Sequence, residues 1–326
     1  MLKTSLLKTI AFFDCFDFPL TAEEIRERLY RYDKPVHIKA VKGILGGMVE
    51  EGKLETIKDY YVLKGHTEII NTRNARRFIA EKFWNRVRLY SQYMQRVPFV
   101  RMIAVCNNLS YDNVDEASDI DLFVVIEPER MWIARLIITL ILQFFGVRRH
   151  GNKVAGRFCL SFFVTTRRMD MTILQITPED PYLAYWAQTL TPIYGEITYE
   201  LFKAANQSWL KEKYNLTVPD SCKRHLYPSR ESLFKRFLEW MLNGHFGNGI
   251  ETLLKKTFKK KTEAAGKRLD EHASVIIEDD ILKFHNHDRR KEYLEKWEKT
   301  VAQISAIPSV ITEPPETPFP EIQNEE

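Results

Sequence analysis

Residues 100–126 read VRMIAVCNNLSYDNVDEASDIDLFVVI, and the rest of the chain is organised around them. The apolar run from Val100 to Cys106 predicts a buried strand, and the run from Ile120 to Ile126 predicts a second. A polar, turn-rich segment, Asn107 to Ser118, separates them. Asp119 and Asp121 stand at the mouth of the second run. Side chains on a strand alternate with period two, so residues 119 and 121 share a face. Two carboxylates a few ångströms apart repel one another. A divalent cation makes the pair favourable, and hard oxygen ligands suit Mg²⁺. The plainer alternative is a solvated strand end with a capping role.

Pro128 ends the second strand. The pattern that follows predicts a helix from about Arg130 to Phe145, and then a turn holding Arg148, Arg149, His150 and Lys153. A third strand, RFCLSFFVT, covers residues 157–165. Strand, turn, strand, helix, strand predicts a domain with a small mixed sheet.

The segment resembles the DNA polymerase beta type nucleotidyltransferase superfamily. That signature is a Gly-Ser turn followed, about a dozen residues on, by Ser-Asp-x-Asp on a strand. Ser118-Asp119-Ile120-Asp121 matches the second half. Asn107 and Asn108 stand at the glycine and serine positions, and Asp112 where a later glycine often falls. Asparagine tolerates the left-handed conformation that glycine takes, and the Asn108 amide still offers a donor. A third carboxylate is usual on a later strand. Here that strand has none, Cys159 and Ser161 lie where it is expected, and Asp170 and Asp180 fall beyond it. The likeness is strongest over residues 100–165 and continues through TPEDPYLAYWAQTLTPIYG, residues 177–195.

The resemblance implies a nucleoside triphosphate (ATP among the candidates), Mg²⁺ held by Asp119 and Asp121, and nucleotidyl transfer to a hydroxyl acceptor. Asn107, Asn108, Ser110 and Ser118 are then expected to contact phosphates, and Lys153 or Arg157 to neutralise the leaving group. The alternative is a catalytically degenerate domain that senses a nucleotide or serves a DNA-binding regulator.

The N-terminal residues predict helices over 3–13, from Thr21 to about Arg31, and over 37–51. Thr21 and Glu24 have capping-box spacing. Two short strands follow around Lys58-Asp59. Three helices and a hairpin is the order of a winged helix. Lys39 and Lys42 would then face DNA, or the unit only packs or dimerises. Residues 67–97 predict a basic helix with interleaved aromatics. Phosphate contact is one reading, and a packed connector whose arginines snorkel is the other.

In the C-terminal half, residues 182–199 are aromatic-rich, suited to stacking a base or to packing. Residues 232–243 predict an amphipathic helix, and 250–269 a helix with lysines at 255, 256, 259, 260 and 261. That basic face suits a solvated surface, a membrane surface or RNA. Asp279, Asp280, His285, His287 and Asp288 have metal-ligand side chains, or belong to a turn between a short strand and a helix. The last twenty residues hold five prolines, five glutamates and no basic residue, the composition of a disordered tail.

The expected fold class is α+β. It comprises a winged-helix-like domain (1–65), a basic connector helix (66–98), a nucleotidyltransferase-like domain with a small mixed sheet (99–200), a helical region (201–306) and a tail (307–326). The net charge of +4 permits contact with DNA or RNA without demanding it. Cys15, Cys106, Cys159 and Cys222 are far apart and form no CxxC, which fits reduced thiols in a cytoplasm. The N-terminus is cut by Asp14 and Asp17 and does not read as a secretion signal. The run 131–147 contains Arg135 and is short for a span, so no integral membrane association is expected.

Overall fold

The computed structural model describes residues 1–228, 232–266, 274–285 and 288–307, with the side chains of 261–266 and of His285 left out. The chain is mixed α+β, built on one six-stranded sheet and one three-stranded sheet.

The large sheet begins with the opening motif. β4 (Val100–Val105) and β5 (Ile120–Ile126) pair antiparallel, and β5 pairs parallel with β6 (Phe158–Thr165). The crossover between β5 and β6 is α5 (Met131–Phe144), as a parallel pair requires. β7 (Thr191–Tyr194) adds to the β4 edge. β8 (Ser274–Ile277) and β9 (Ile281–His285) form a hairpin on the β6 edge. The spatial order is β7-β4-β5-β6-β9-β8. The region after residue 200 is therefore not wholly helical: its hairpin completes the sheet. β7 was also unforeseen, because its four residues (Thr191 to Tyr194) lie within an aromatic run.

Alternation along the strands makes two cores. Met102, Ala104, Phe123, Val125, Phe162 and Val164 face one side. There they meet α1 (Leu2–Asp14), α6 (Pro181–Thr189), α7 (Glu196–Tyr214) and α10 (Arg290–Ser305). Ile103, Val105, Leu122, Val124 and Phe163 face the other side, under α4 (Ile69–Met94) and α5. β4 and β5 are covered on both faces, which explains their near-continuous apolar sequences.

The N-terminal unit runs α1, β1 (Leu20–Thr21), α2 (Ala22–Glu27), α3 (Ile38–Glu50), β2 (Leu54–Ile57) and β3 (Tyr60–Leu63), with sheet order β1-β3-β2. Thr21 and Glu24 form the capping box. Lys58 and Asp59 turn the hairpin at φ +50° and +69°, the geometry that fits the strand twist. β1 was too short to foresee. The unit's core residues Leu6, Ile10, Phe13 and Leu45 belong to the same cluster as Phe123 and Trp209, so no core boundary falls at residue 65.

α4 is a packed connector. Arg73 makes a bidentate pair with Glu24, at 2.6 and 2.8 Å. Arg76 donates to Phe16 O and Asn113 Oδ1, and Arg86 to Gly156 O. Phe83 and Trp84 are buried. α8 (Leu233–Met241) and α9 (Gly244–Gly266) follow, with α9 packed against α5. Among the described residues no helix is long and apolar enough to cross a membrane.

Candidate functional site

Asp119 immediately precedes β5, and Asp121 lies within it, on the same face as Phe123. Cys159 is the register partner of Asp121 on β6. Among the described residues, the ligand atoms of Asp119, Asp121 and Cys159 lie within 4.8 Å of one another. The two acids thus converge, and the thiol stands beside them where a third carboxylate was looked for.

The Asn107 amide donates to Asp121 Oδ2 at 2.8 Å. Asn107 has φ +56°, the left-handed conformation a glycine would supply. Arg149 Nη1 reaches Asp119 Oδ2 at 2.5 Å and Cys159 Sγ at 3.6 Å. Burial, together with the Asp119 charge, raises the Asp121 pKa to about 6, against the pull of Asn107, Cys159 and Arg149. Burial raises the Cys159 thiol to about 12, so it is protonated at neutral pH.

Asp121, Asn107, Asn108 and Cys159 line a cavity of about 800 Å³, a size that suits a nucleotide-scale ligand. Its lining includes Arg135, Arg148, Arg149, Arg289 and Arg290, the acid Asp288, and the aromatic side chains of Phe16, Tyr182, Trp186 and Tyr293. Tyr182 and Tyr293 stack with centroids 5.9 Å apart. Arg135 lies between the rings of Phe163 and Phe284, at 5.6 and 4.8 Å. Its Nε has no hydrogen-bond partner among the described residues. Burial, with Arg148 nearby, lowers its pKa to about 10. A buried donor left without a partner is costly, and an anionic ligand in the cavity would supply one.

The remaining expected residues divide. Ser110 is buried, and its hydroxyl donates to Asn107 O at 2.7 Å, so it shapes the turn from behind. Ser118 donates to Asp115 Oδ1 and does not line the cavity. Lys153 is exposed and Arg157 donates to Gly146 O; neither lines the cavity. Asp112 points elsewhere, accepting from Trp84 Nε1 at 2.7 Å and Arg224 at 3.2 Å. Lys39 and Lys42 are exposed on α3, and Lys42 pairs with Glu23 at 3.3 Å.

The arginines in the cavity lining were not anticipated as a group. Their signal was present: one arginine in an otherwise apolar helix, and two more in the turn at 148–149. The C-terminal acids do not converge. Asp279 pairs with Lys255, Asp280 accepts from Thr165, and Asp288 pairs with Arg290. His287 and the His285 side chain lie outside the described residues, as does the tail from 308.

No family model matches the chain, and comparison with curated proteins and with solved structures returned no significant match.

Proposed function

We propose that the cavity binds a nucleoside triphosphate with Mg²⁺ and that the protein transfers its nucleotidyl group to a hydroxyl acceptor. The reading rests on one observation: two carboxylates converge, and one of them, Asp121, lines a cavity that arginines and tyrosines also line. Asp119 and Asp121 would hold the metal. Two hard oxygens suffice for Mg²⁺, whose remaining positions are commonly water and phosphate, so the protonated Cys159 need not ligate it. The metal would supply positive charge to the phosphates at the reacting phosphorus.

The chain's own residues do the positioning. Arg135, Arg148 and Arg149 meet the phosphate chain, because guanidinium forks match phosphate oxygens. Tyr182 and Tyr293 offer a face for a base. Asn107 orients Asp121. In the transfer the acceptor oxygen bonds to the α-phosphorus, the bond from that phosphorus to the bridging oxygen breaks, pyrophosphate leaves with that bond's electron pair, and the acceptor's proton passes to solvent.

The nucleotidyltransferase resemblance of the sequence agrees with this. The helix and strand order of residues 2–63 likewise supports reading that unit as a winged helix. The test is incubation with α-labelled triphosphates, Mg²⁺ and a cell extract, followed by a search for label on a macromolecule or metabolite. Label that disappears in Asp121→Ala supports transfer.

Cys159 favours a second reading. A protonated thiol occupies the place of the third carboxylate, which suits binding without turnover. The protein would then be a nucleotide sensor whose α3, with Lys39 and Lys42, contacts DNA. No label, together with salt-dependent DNA binding lost in Lys39→Glu/Lys42→Glu, supports that reading instead.

A further inference from the structure

α8 is an amphipathic helix mounted inside out. Two of its charged residues, Lys235 and Glu239, face the protein. The Lys235 ammonium is buried and donates to Gln95 O, Val100 O and Tyr194 Oη at 2.7–3.1 Å. Glu239 accepts from Phe99 N at 2.7 Å and from Arg101 at 2.8 Å. All its apolar residues but Leu238 are exposed to solvent. Leu233, Phe234, Phe237, Trp240 and Met241 form a single helical stripe, with Leu233 80% and Trp240 76% exposed. An ordinary surface helix with this sequence would rotate to bury that stripe. Here the two inward anchors hold it outward.

The next helix, α9, also carries exposed apolar residues. Phe246 and Leu253 are exposed, and Lys256 and Lys260 lie on the same exposed side of that helix. Between Ser232 and Lys260 the chain has six lysines and arginines and two glutamates. Both glutamates turn inward: Glu239 as above, and Glu251 onto the backbone N–H groups of Trp132 and Ile133. The exposed described side chains of α8 and α9 are therefore aromatic, aliphatic, basic or neutral polar, and among them neither helix adds an outward acid of its own, the nearest being Asp279, which pairs with Lys255.

We infer that this surface seats the protein on an anionic phospholipid bilayer. The residues are those of an interfacial helix: Trp, Phe and Leu for the acyl boundary, and Lys for anionic headgroups. Charge separates this occupant from a second copy of the chain, since a symmetric pairing would press one lysine-edged face against another. It also separates the occupant from nucleic acid, which has no use for an aliphatic stripe. The inference does not depend on the nucleotide reading of the cavity.

The experiment is flotation of the full chain with two kinds of vesicle, phosphatidylcholine alone and equal parts phosphatidylcholine and phosphatidylglycerol. Partitioning onto the anionic vesicles is expected to exceed that onto neutral ones by about tenfold or more, and to fall with salt. Phe237→Ser/Trp240→Ser, at exposed positions where the fold is not at stake, should lower anionic partitioning by at least about tenfold. Lys256→Glu/Lys260→Glu should narrow the gap between the two vesicle types. Absence of flotation, or flotation unchanged by Phe237→Ser/Trp240→Ser, overturns the inference. So does sedimentation showing a dimer that those substitutions convert to monomer, which would assign the face to a second copy.

Discussion

Arg149 Nη1 lies 2.5 Å from Asp119 Oδ2, so one member of the acid pair is already neutralised by the protein itself. Asp121 is treated differently. The Asn107 amide holds it, and burial beside the Asp119 charge raises its carboxyl above the usual carboxylate range. Before any ligand arrives, the arrangement avoids two bare carboxylates side by side. On the proposed reading, Arg149 moves from carboxylate to phosphate when metal and triphosphate enter together.

Arg149→Gln should therefore separate two affinities. Mg²⁺ alone is expected to bind a few-fold more tightly, because Asp119 loses its competing cation. The Mg²⁺–triphosphate complex is expected to bind about tenfold more weakly, the order of one charge-assisted hydrogen bond. Calorimetric titrations with and without nucleotide check both. A parallel change in the two affinities contradicts the switching role.

Cys159→Asp places a third carboxylate opposite Asp121. It is expected to raise Mg²⁺ affinity by about tenfold, since another hard oxygen joins the pair. The metal-free protein should lose about 1–3 kcal/mol, because a further like charge is buried beside two others. Thermal unfolding with and without Mg²⁺ reads both effects. If the metal restores none of the lost stability, these acids are not a metal site.

His225 stacks on Trp84 with centroids 3.7 Å apart, behind the turn that carries Asn107. Burial, with Arg224 beside it, lowers its pKa from 6.5 to about 4. A histidine with a depressed folded pKa binds fewer protons folded than unfolded. Its contribution is complete above pH 6.5 and is lost as the pH falls toward 4, by about 1–3 kcal/mol. Urea unfolding across that window should show the slope. His225→Gln should flatten it, and an unchanged slope would assign the acid sensitivity to other groups.

Gly195→Ala should be among the most damaging single changes. Gly195 has φ +88°, and a Cβ there would meet Arg101 O at 2.0 Å, where β7 passes β4. Left-handed strain and a backbone clash add, so a loss of about 3 kcal/mol or more is expected. Denaturant unfolding or soluble yield checks this. A near-neutral result would mean that β7 does not run so close to β4.

Much of the site's geometry was legible because it is local. The DxD spacing, the left-handed Asn107, the capping box at Thr21 and Glu24, and the hairpin turn at Lys58-Asp59 each depend on a few neighbouring residues. What escaped depends on distant parts of the chain. Arg135 and Arg289 reach the cavity from a crossover helix and from the C-terminal segment, and no spacing links them. The β8–β9 hairpin joins the sheet by pairing with β6, which lies more than a hundred residues earlier. α8 misleads for a physical reason. Its sequence is that of an ordinary amphipathic helix, and only the buried Lys235 and the inward Glu239 reverse which side meets the protein. Ser110, Lys153 and Arg157 have suitable chemistry in suitable neighbourhoods, but side-chain direction takes them out of the cavity.

On the proposed reading, Asp119 and Asp121 hold a metal–triphosphate complex. The most direct measurement is isothermal titration of the full chain with each of the four nucleoside triphosphates, with and without Mg²⁺, beside Asp119→Asn/Asp121→Asn. At least one triphosphate should give saturable heat that requires Mg²⁺ and disappears in the double variant, while the variant's unfolding transition stays cooperative. No metal-dependent heat with any nucleotide, or the same heat in the double variant, would contradict the account.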